Sequence, residues 1–236
     1  MDFIPHLEEF RRRFLFCVAV FSVAAILSYF YSHPILDFFT QPLRNSPYPA
    51  ELIFQKPYDA FLIHLKVAAF SGFLLSSPLW LFQIWSFTAP GLYEKEKKVF
   101  LPVIFISIFL FWVGVILSYT LVVPWALQFL LGFQTETLKP LLSVGPYFSF
   151  LFGMLIAFGI LFDFPVFMVG LVELGVVKTK TLAASRRLII VIIFVVAAVL
   201  TPSPDPLSQL LLALPLWGLF EISLGIAAWR EKRSQH

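Results

Sequence analysis

Residues 87–98 read FTAPGLYEKEKK and form the densest cluster of charged and turn-forming residues in the interior of a strongly apolar chain. Apolar runs long enough to cross a bilayer lie on both sides of this segment, so we expect it to lie where a membrane meets water. It contains three lysines, and basic residues accumulate in cytoplasmic loops. The segment therefore predicts a cytoplasmic loop between two membrane spans.

The composition of the whole chain indicates an integral membrane protein. Of its 236 residues, 59% are hydrophobic and 13% are charged, whereas soluble domains carry about 25% charged residues. A soluble domain of this length could not bury so much apolar surface. The net charge of +3 does not indicate a nucleic-acid partner, because the basic residues lie in short clusters at the ends of apolar runs.

Apolar runs predict an all-α polytopic fold with six transmembrane helices in one membrane domain, residues 1–236. Residues 1–13 are expected to form a cytoplasmic interfacial helix, because apolar and charged side chains separate onto two faces. The six spans are predicted at residues 14–31, 59–87, 99–130, 145–174, 188–200 and 207–229.

Prolines and span lengths add detail to this prediction. Four prolines exclude one long helix in the outer segment 35–58, where short helices are expected. The fourth span should be broken at Gly153, Gly159 and Pro165. The run 188–200 reaches only about 20 Å, less than a hydrocarbon core of about 30 Å. The last two spans are predicted to be short, and the length of the third span implies that it is tilted.

The distribution of positive charge predicts the orientation. Thirteen of the 17 Lys and Arg residues fall in the N-terminal segment, the central loop, the loop between spans four and five, and the C-terminal tail. An even number of spans places these four segments on one side, and the positive-inside rule makes that side cytoplasmic. Both termini are therefore expected in the cytoplasm.

Two carboxylates interrupt apolar spans. A carboxylate at the bilayer centre costs about 2.5 to 3.5 kcal/mol, so such groups usually face a partner or a hydrated cavity. Gly159 and Pro165 flank Asp163 and open the backbone near it, which favours a functional role, whereas Glu221 lies near the basic tail and could simply reach the interface.

Four carboxylates beside the predicted inner surface have two interpretations. Glu8, Glu9, Glu94 and Glu96 lie among basic residues. Glu9 could pair with Arg12 or Arg13 at helical spacing, which stabilises a helix by a few tenths of a kcal/mol. The same carboxylates could instead form a receptor for a cationic ligand, and spacing does not choose between the two.

Motifs for catalysis and metal binding are absent from the sequence. HExxH, GxSxG, GxGxxG and the Walker motif do not occur, so no enzyme activity and no cofactor are expected. The four histidines are scattered along the chain, and Cys17 is the only cysteine. We therefore expect no metal site.

Four stretches of the sequence form a set of motifs: residues 6–13 (HLEEFRRR), 87–96 (FTAPGLYEKE), 158–165 (FGILFDFP) and 200–209 (LTPSPDPLSQ). In this order among six predicted spans, they resemble the motifs of TatC, the multi-span core subunit of the twin-arginine protein translocase. The first two stretches are similar to its N-terminal and first-loop motifs, and the last two are similar to a motif in a later span and to a turn. This chain departs from the family pattern at Phe10, which replaces leucine, at Asp163, which replaces glutamate, and at the additional Pro204.

The resemblance implies a receptor in the cytoplasmic (inner) membrane that binds twin-arginine signal peptides of folded cargo. It would then recruit single-span TatA-type subunits, and possibly TatB-type subunits, for export driven by the proton-motive force. Its environment would be the lipid bilayer, within a larger complex that holds several copies of the chain. The fold that the resemblance implies is concave and glove-like, with the concave face formed by the short and tilted spans.

The resemblance also implies roles for individual residues. Glu9 and Glu96 would receive the two arginines, and Asp163 would lie in a polar intramembrane groove, where it could carry protons or only form hydrogen bonds. Thr201 and Gln209 would contact a partner helix. The signal-peptide site would be completed by Leu7, Arg13, Phe87, Pro90, Gly91 and Leu92.

Two other classes of function remain open at this stage. A secondary transporter of a small solute would use Asp163 or Lys66 near the bilayer midplane and should show internal repeats, but the two halves of the sequence are not convincingly similar. A membrane scaffold would have no translocation role. Saturable binding of a twin-arginine peptide would distinguish the receptor from both.

Overall fold

Long apolar helices make up most of the chain that the structure describes. The structure is a computed structural model. It describes residues 3–48, 50–88, 97–134, 141–173, 179–200 and 206–234.

The first helix is longer than expected. Helix α1 runs without interruption over Phe3–Phe30, so residues 3–13 do not form an element separate from the first span. The reason is that no proline or glycine occurs between residues 6 and 33. The short helix expected in the outer segment is confirmed as α2, Ser32–Arg44, and its first turn accommodates Pro34 because the first N–H groups of a helix have no internal acceptor.

The second and third predicted spans correspond to α3, Asp59–Thr88, and to a run that begins with α4, Lys97–Leu117. A π-helical turn, Ser118–Val122, then leads into α5, Val123–Leu131. The sequence analysis did not predict this wider turn. It ends two residues before Pro124, which has no N–H to donate to the carbonyl of Thr120, and a wider turn relieves that mismatch.

The fourth predicted span is broken once within the described residues. Helix α6, Val144–Phe162, passes through both glycines at which breaks were expected, and α7, Phe164–Glu173, follows after a single non-helical residue, Asp163. The expected breaks at Gly153 and Gly159 were therefore wrong. Helices tolerate glycine, but Pro165 lacks the N–H that would bond to Leu161.

The C-terminal part contains α8, Thr179–Ala184, α9, Arg186–Leu200, and α10, Pro206–Ser234. Helix α9 has 15 residues, and α10 contains the 18-residue apolar stretch Leu212–Trp229. In the described part of the chain, five helical stretches are long and apolar enough to cross a membrane, and α9 is not among them.

The chain divides into two compact units, which are described separately. The first comprises Met1–Ile108 and Leu131–Ser149. In it α1 packs along α3, and Gly72 makes this close approach possible, since a Cβ there would lie 2.5 Å from the backbone nitrogen of Ala25. Strands β1, Leu52–Ile53, and β2, Leu142–Ser143, pair in parallel.

The second unit comprises Phe109–Leu130 and Phe150–His236. Gly114 has no room for a Cβ because the carbonyl of Phe158 lies against it. A buried cluster of Met168, Phe220 and Leu224 joins α7 to α10. Side chains from α7, α8 and α9 pack against this cluster, namely Phe164, Leu182, Ile189 and Ile193. The single membrane domain that the sequence suggested stays a prediction.

Candidate functional site

Glu9 forms an ion pair within α1. The guanidinium of Arg13, one helical turn further on, donates from Nε (2.9 Å) and Nη2 (2.7 Å) to Oε1 of Glu9. The side chains are 37% exposed for Glu9 and 27% for Arg13. The sequence analysis allowed Arg12 or Arg13 as the partner at helical spacing, and the structure selects Arg13.

Gln83 connects this ion pair to α3. Its Oε1 accepts a hydrogen bond of 2.8 Å from Nη1 of Arg13. One helical turn later on α3, the ring of Phe87 packs edge-on against Phe10, with 5.7 Å between the ring centroids. A polar and an aromatic contact therefore fasten the N-terminal part of α1 to the C-terminal part of α3.

The sequence analysis did not identify Gln83. It is an amide near the end of an apolar span, four residues before Phe87, and that position was the available signal. Leu7, another predicted site residue, lies exposed on α1. Four residues of the predicted signal-peptide site lie outside the described part of the chain: Pro90, Gly91, Leu92 and Glu96.

Asp163 lies at the break between α6 and α7 and is half-buried. Its N–H donates to the carbonyl of Ile160 (3.1 Å), and its own carbonyl accepts from Val166 (3.0 Å) and Phe167 (3.1 Å). The break lies inside the apolar stretch Val144–Gly170. The carboxyl group is thus carried by an interruption in a membrane-spanning segment, as its flanking Pro165 suggested.

Gln209 is engaged within the chain. Its Nε2 donates a 2.8 Å hydrogen bond from α10 to the carbonyl of Phe194 on α9. Thr201, predicted to act beside it, lies outside the described residues. Twelve residues further along α10, Glu221 accepts a 3.1 Å hydrogen bond from Nη2 of Arg186, so this carboxylate has a basic partner on α9.

Two of the four histidines, described as scattered in the sequence, lie side by side. The rings of His33 and His64 have centroids 4.6 Å apart, and Nδ1 of His64 lies 3.0 Å from the hydroxyl oxygen of Ser32. Within the described ranges, no group of three or more His, Cys, Asp or Glu residues is placed to hold a metal ion.

A family model described as "Sec-independent protein translocase protein (TatC)" matches residues 5–215. The chain belongs to the TatC family. A TatC protein of Magnetococcus marinus is 40% identical over 222 residues, which are 94% of this chain and 82% of the relative. A TatC protein of Aquifex aeolicus is 36% identical over 237 residues, 99% of this chain and 98% of the relative.

Solved structures of TatC agree with this assignment. A crystal structure of the twin-arginine translocase receptor TatC aligns with a TM-score of 0.83 at 35% identity, covering 95% of this chain and 98% of the other. A second crystal structure of TatC, in DDM, aligns with a TM-score of 0.84. The all-α polytopic membrane fold predicted from the sequence is confirmed, and TatC membership favours a translocase over a small-solute transporter.

Proposed function

We propose that this chain is the receptor subunit of a twin-arginine translocase. It binds the twin-arginine signal peptide of a folded cargo protein at the cytoplasmic face of the membrane. It then recruits single-span TatA-type subunits, with or without a TatB-type subunit, for export driven by the proton-motive force. Membership of the TatC family supports this proposal.

The Glu9 carboxylate is the single observation that carries the proposed binding site. It is more than one-third exposed, and it stands on a helix that Gln83 and Phe87 hold against α3. A carboxylate that is held in place and open to water suits an arginine ligand, because the planar guanidinium forms strong, directional, charge-assisted hydrogen bonds.

A second carboxylate is needed for a pair of adjacent arginines. Successive side chains of an extended peptide point to opposite sides, so two neighbouring arginines require acceptors on two different elements. We assign the second role to Glu96, which follows α3 in the loop that contains Pro90, Gly91 and Leu92. Leu7 and Phe10 expose apolar surface on the same part of α1, and this surface suits the apolar part of a signal peptide.

The second unit carries the proposed partner contacts. Asp163 would offer hydrogen bonds in a polar groove within the membrane, and no catalytic step is assigned to it. Thr201 and Gln209 would contact the helix of a single-span subunit. Because Gln209 already bonds to Phe194, a partner has to compete with that bond. Hydrogen bonds between membrane helices contribute about 0.6 to 2 kcal/mol, so binding there should be reversible.

The proposal is tested by equilibrium binding of a fluorescent twin-arginine signal peptide to the detergent-solubilised protein. We expect saturable binding that is lost with a twin-lysine peptide, because lysine cannot reproduce the bidentate contact. Glu9→Gln and Glu96→Gln should each weaken binding by at least about tenfold, as loss of a charge-assisted hydrogen bond predicts.

The matched control is Glu51→Gln, an exposed carboxylate in the outer segment, and it should bind the peptide like the parent protein. Equal binding of both peptides by all three variants would refute the receptor assignment. Loss in Glu9→Gln alone would retain the receptor but remove Glu96 from the site.

A further inference from the structure

The contact between Arg13 and Glu9 has an unusual geometry. In the common bidentate pair, two guanidinium nitrogens bond to the two oxygens of one carboxylate in parallel. Here Nε and Nη2 of Arg13 both converge on Oε1 of Glu9. Oε2 therefore lies outside this pair.

Gln83 explains this arrangement. It holds Nη1, the third nitrogen of Arg13, at 2.8 Å. The guanidinium is planar and rigid, so restraining Nη1 from α3 limits how the opposite edge can lie against Glu9. Without the Gln83 acceptor, Arg13 is free to turn until its fork meets both oxygens.

We propose that Gln83 is a positioning residue for the ligand: by holding Arg13 on Oε1, it leaves Oε2 of Glu9 to accept a second guanidinium, that of the bound peptide. The inference rests on the proposed function, because it requires a ligand arginine at Glu9. In this arrangement Glu9 is shared between an internal arginine and an external one.

The chemistry of the three side chains fits this role. An ionised carboxylate offers about four lone-pair sites on its two oxygens, and Arg13 occupies one oxygen only. Gln83 contributes the acceptor that restrains Arg13, and its Oε1 is already bonded to Nη1 of that arginine. Arg13 and Glu9 together are neutral, which limits the repulsion that a second guanidinium meets.

The test uses four variants in the same peptide-binding assay on the full-length protein. Gln83→Met removes the acceptor at similar side-chain size, and Gln83→Glu keeps an acceptor. Arg13→Gln removes the internal arginine, and the double variant Gln83→Met/Arg13→Gln removes both the acceptor and this arginine. Gln55→Met, at an exposed glutamine of the outer segment, is the matched control. Circular dichroism and size-exclusion chromatography check that each variant folds.

We expect Gln83→Met to weaken peptide binding roughly tenfold, as loss of one charge-assisted hydrogen bond predicts, because Arg13 then covers both oxygens. Gln83→Glu should retain binding. The double variant should bind as tightly as Arg13→Gln alone, since no arginine remains to cover Oε2. Equal binding by the double variant and Arg13→Gln would distinguish a positioning role of Gln83 from a packing role. A packing defect at residue 83 would persist without Arg13 and would weaken binding further.

Either of two results would overturn the proposal: parental binding by Gln83→Met, or an additional loss in the double variant relative to Arg13→Gln. Neither of them depends on Glu9→Gln, which tests the proposed function. If Glu9→Gln loses binding while Gln83→Met does not, the receptor site stands and only the positioning role fails.

Discussion

Glu221 and Phe220 are neighbours in sequence but should differ in how strongly they stabilise the second unit. Phe220 is completely buried in the cluster that joins α10 to α7. Glu221 lies at the edge of the same helix, where its ion pair with Arg186 has side chains 33% and 52% exposed. At the scale of single residues, burial rather than charge should decide which of the two side chains contributes more to the stability of the second unit.

We therefore expect Phe220→Ala to destabilise the protein by about 3 to 5 kcal/mol through the cavity it leaves. Glu221→Gln should destabilise it by less than about 1 kcal/mol, because partly exposed ion pairs are weak. The measurement is unfolding of each purified variant in detergent, followed by circular dichroism. A larger loss for Glu221→Gln would show that the Arg186 pair has a greater structural role than its exposure suggests.

At the scale of elements, glycines decide how closely helices approach one another. Gly72 on α3 lies directly against Ala25 on α1, whereas an added Cβ at Gly153 on α6 would meet nothing within 4 Å. Both glycines lie in helix interiors, so the intrinsic preference for alanine is the same at both sites. The difference between the two substitutions therefore measures packing.

Gly72→Ala should destabilise the protein by about 1 to 3 kcal/mol, because the new Cβ meets backbone atoms that can move only if the helices separate. Gly153→Ala should be neutral or stabilising by up to about 1 kcal/mol, the helix-propensity difference between the two residues. Unfolding of both variants in detergent provides the measurement. Equal effects at the two positions would contradict the close α1–α3 contact.

The π-helical turn before α5 and the break at Asp163 have the same origin. In each case a proline, Pro124 or Pro165, lies a few residues beyond the irregular position and lacks a hydrogen-bond donor. The prolines were visible in the sequence. The form of the response, a wider turn in one helix and an interruption in the other, depends on what packs around each helix.

At the scale of the whole molecule, the orientation across the membrane stays a prediction from the charge distribution. It can be tested with single cysteines in a Cys17→Ala background, because Cys17 is the only native cysteine. Suitable positions are Glu8 near the N-terminus, Arg44 at the end of α2, and Ser234 at the end of α10.

A membrane-impermeant maleimide applied to spheroplasts should label Arg44→Cys, since α2 belongs to the predicted outer segment. Glu8→Cys and Ser234→Cys should be labelled only after lysis, because the basic clusters hold both termini inside. Labelling of either terminus in intact spheroplasts would contradict the predicted orientation. Glu8→Cys and Ser234→Cys should show the same labelling, because an even number of spans places the two termini on one side of the membrane.

The membrane class and the helical fold could be predicted because they depend on local signals. Apolar run length indicates spans, basic clusters mark their ends, and Pro165 marks a break near Asp163. The TatC resemblance also rested on short contiguous motifs, such as residues 6–13 and 87–96. Each of these signals can be identified without knowing which helices are neighbours.

Other features were decided only by the tertiary structure. Gln83 lies 70 residues from Arg13, and His33 meets His64 although the histidines are scattered along the chain. Side-chain partners follow from how helices cross and from which faces meet, and a glutamine or histidine in an apolar span has the same local sequence signal whether or not a partner faces it.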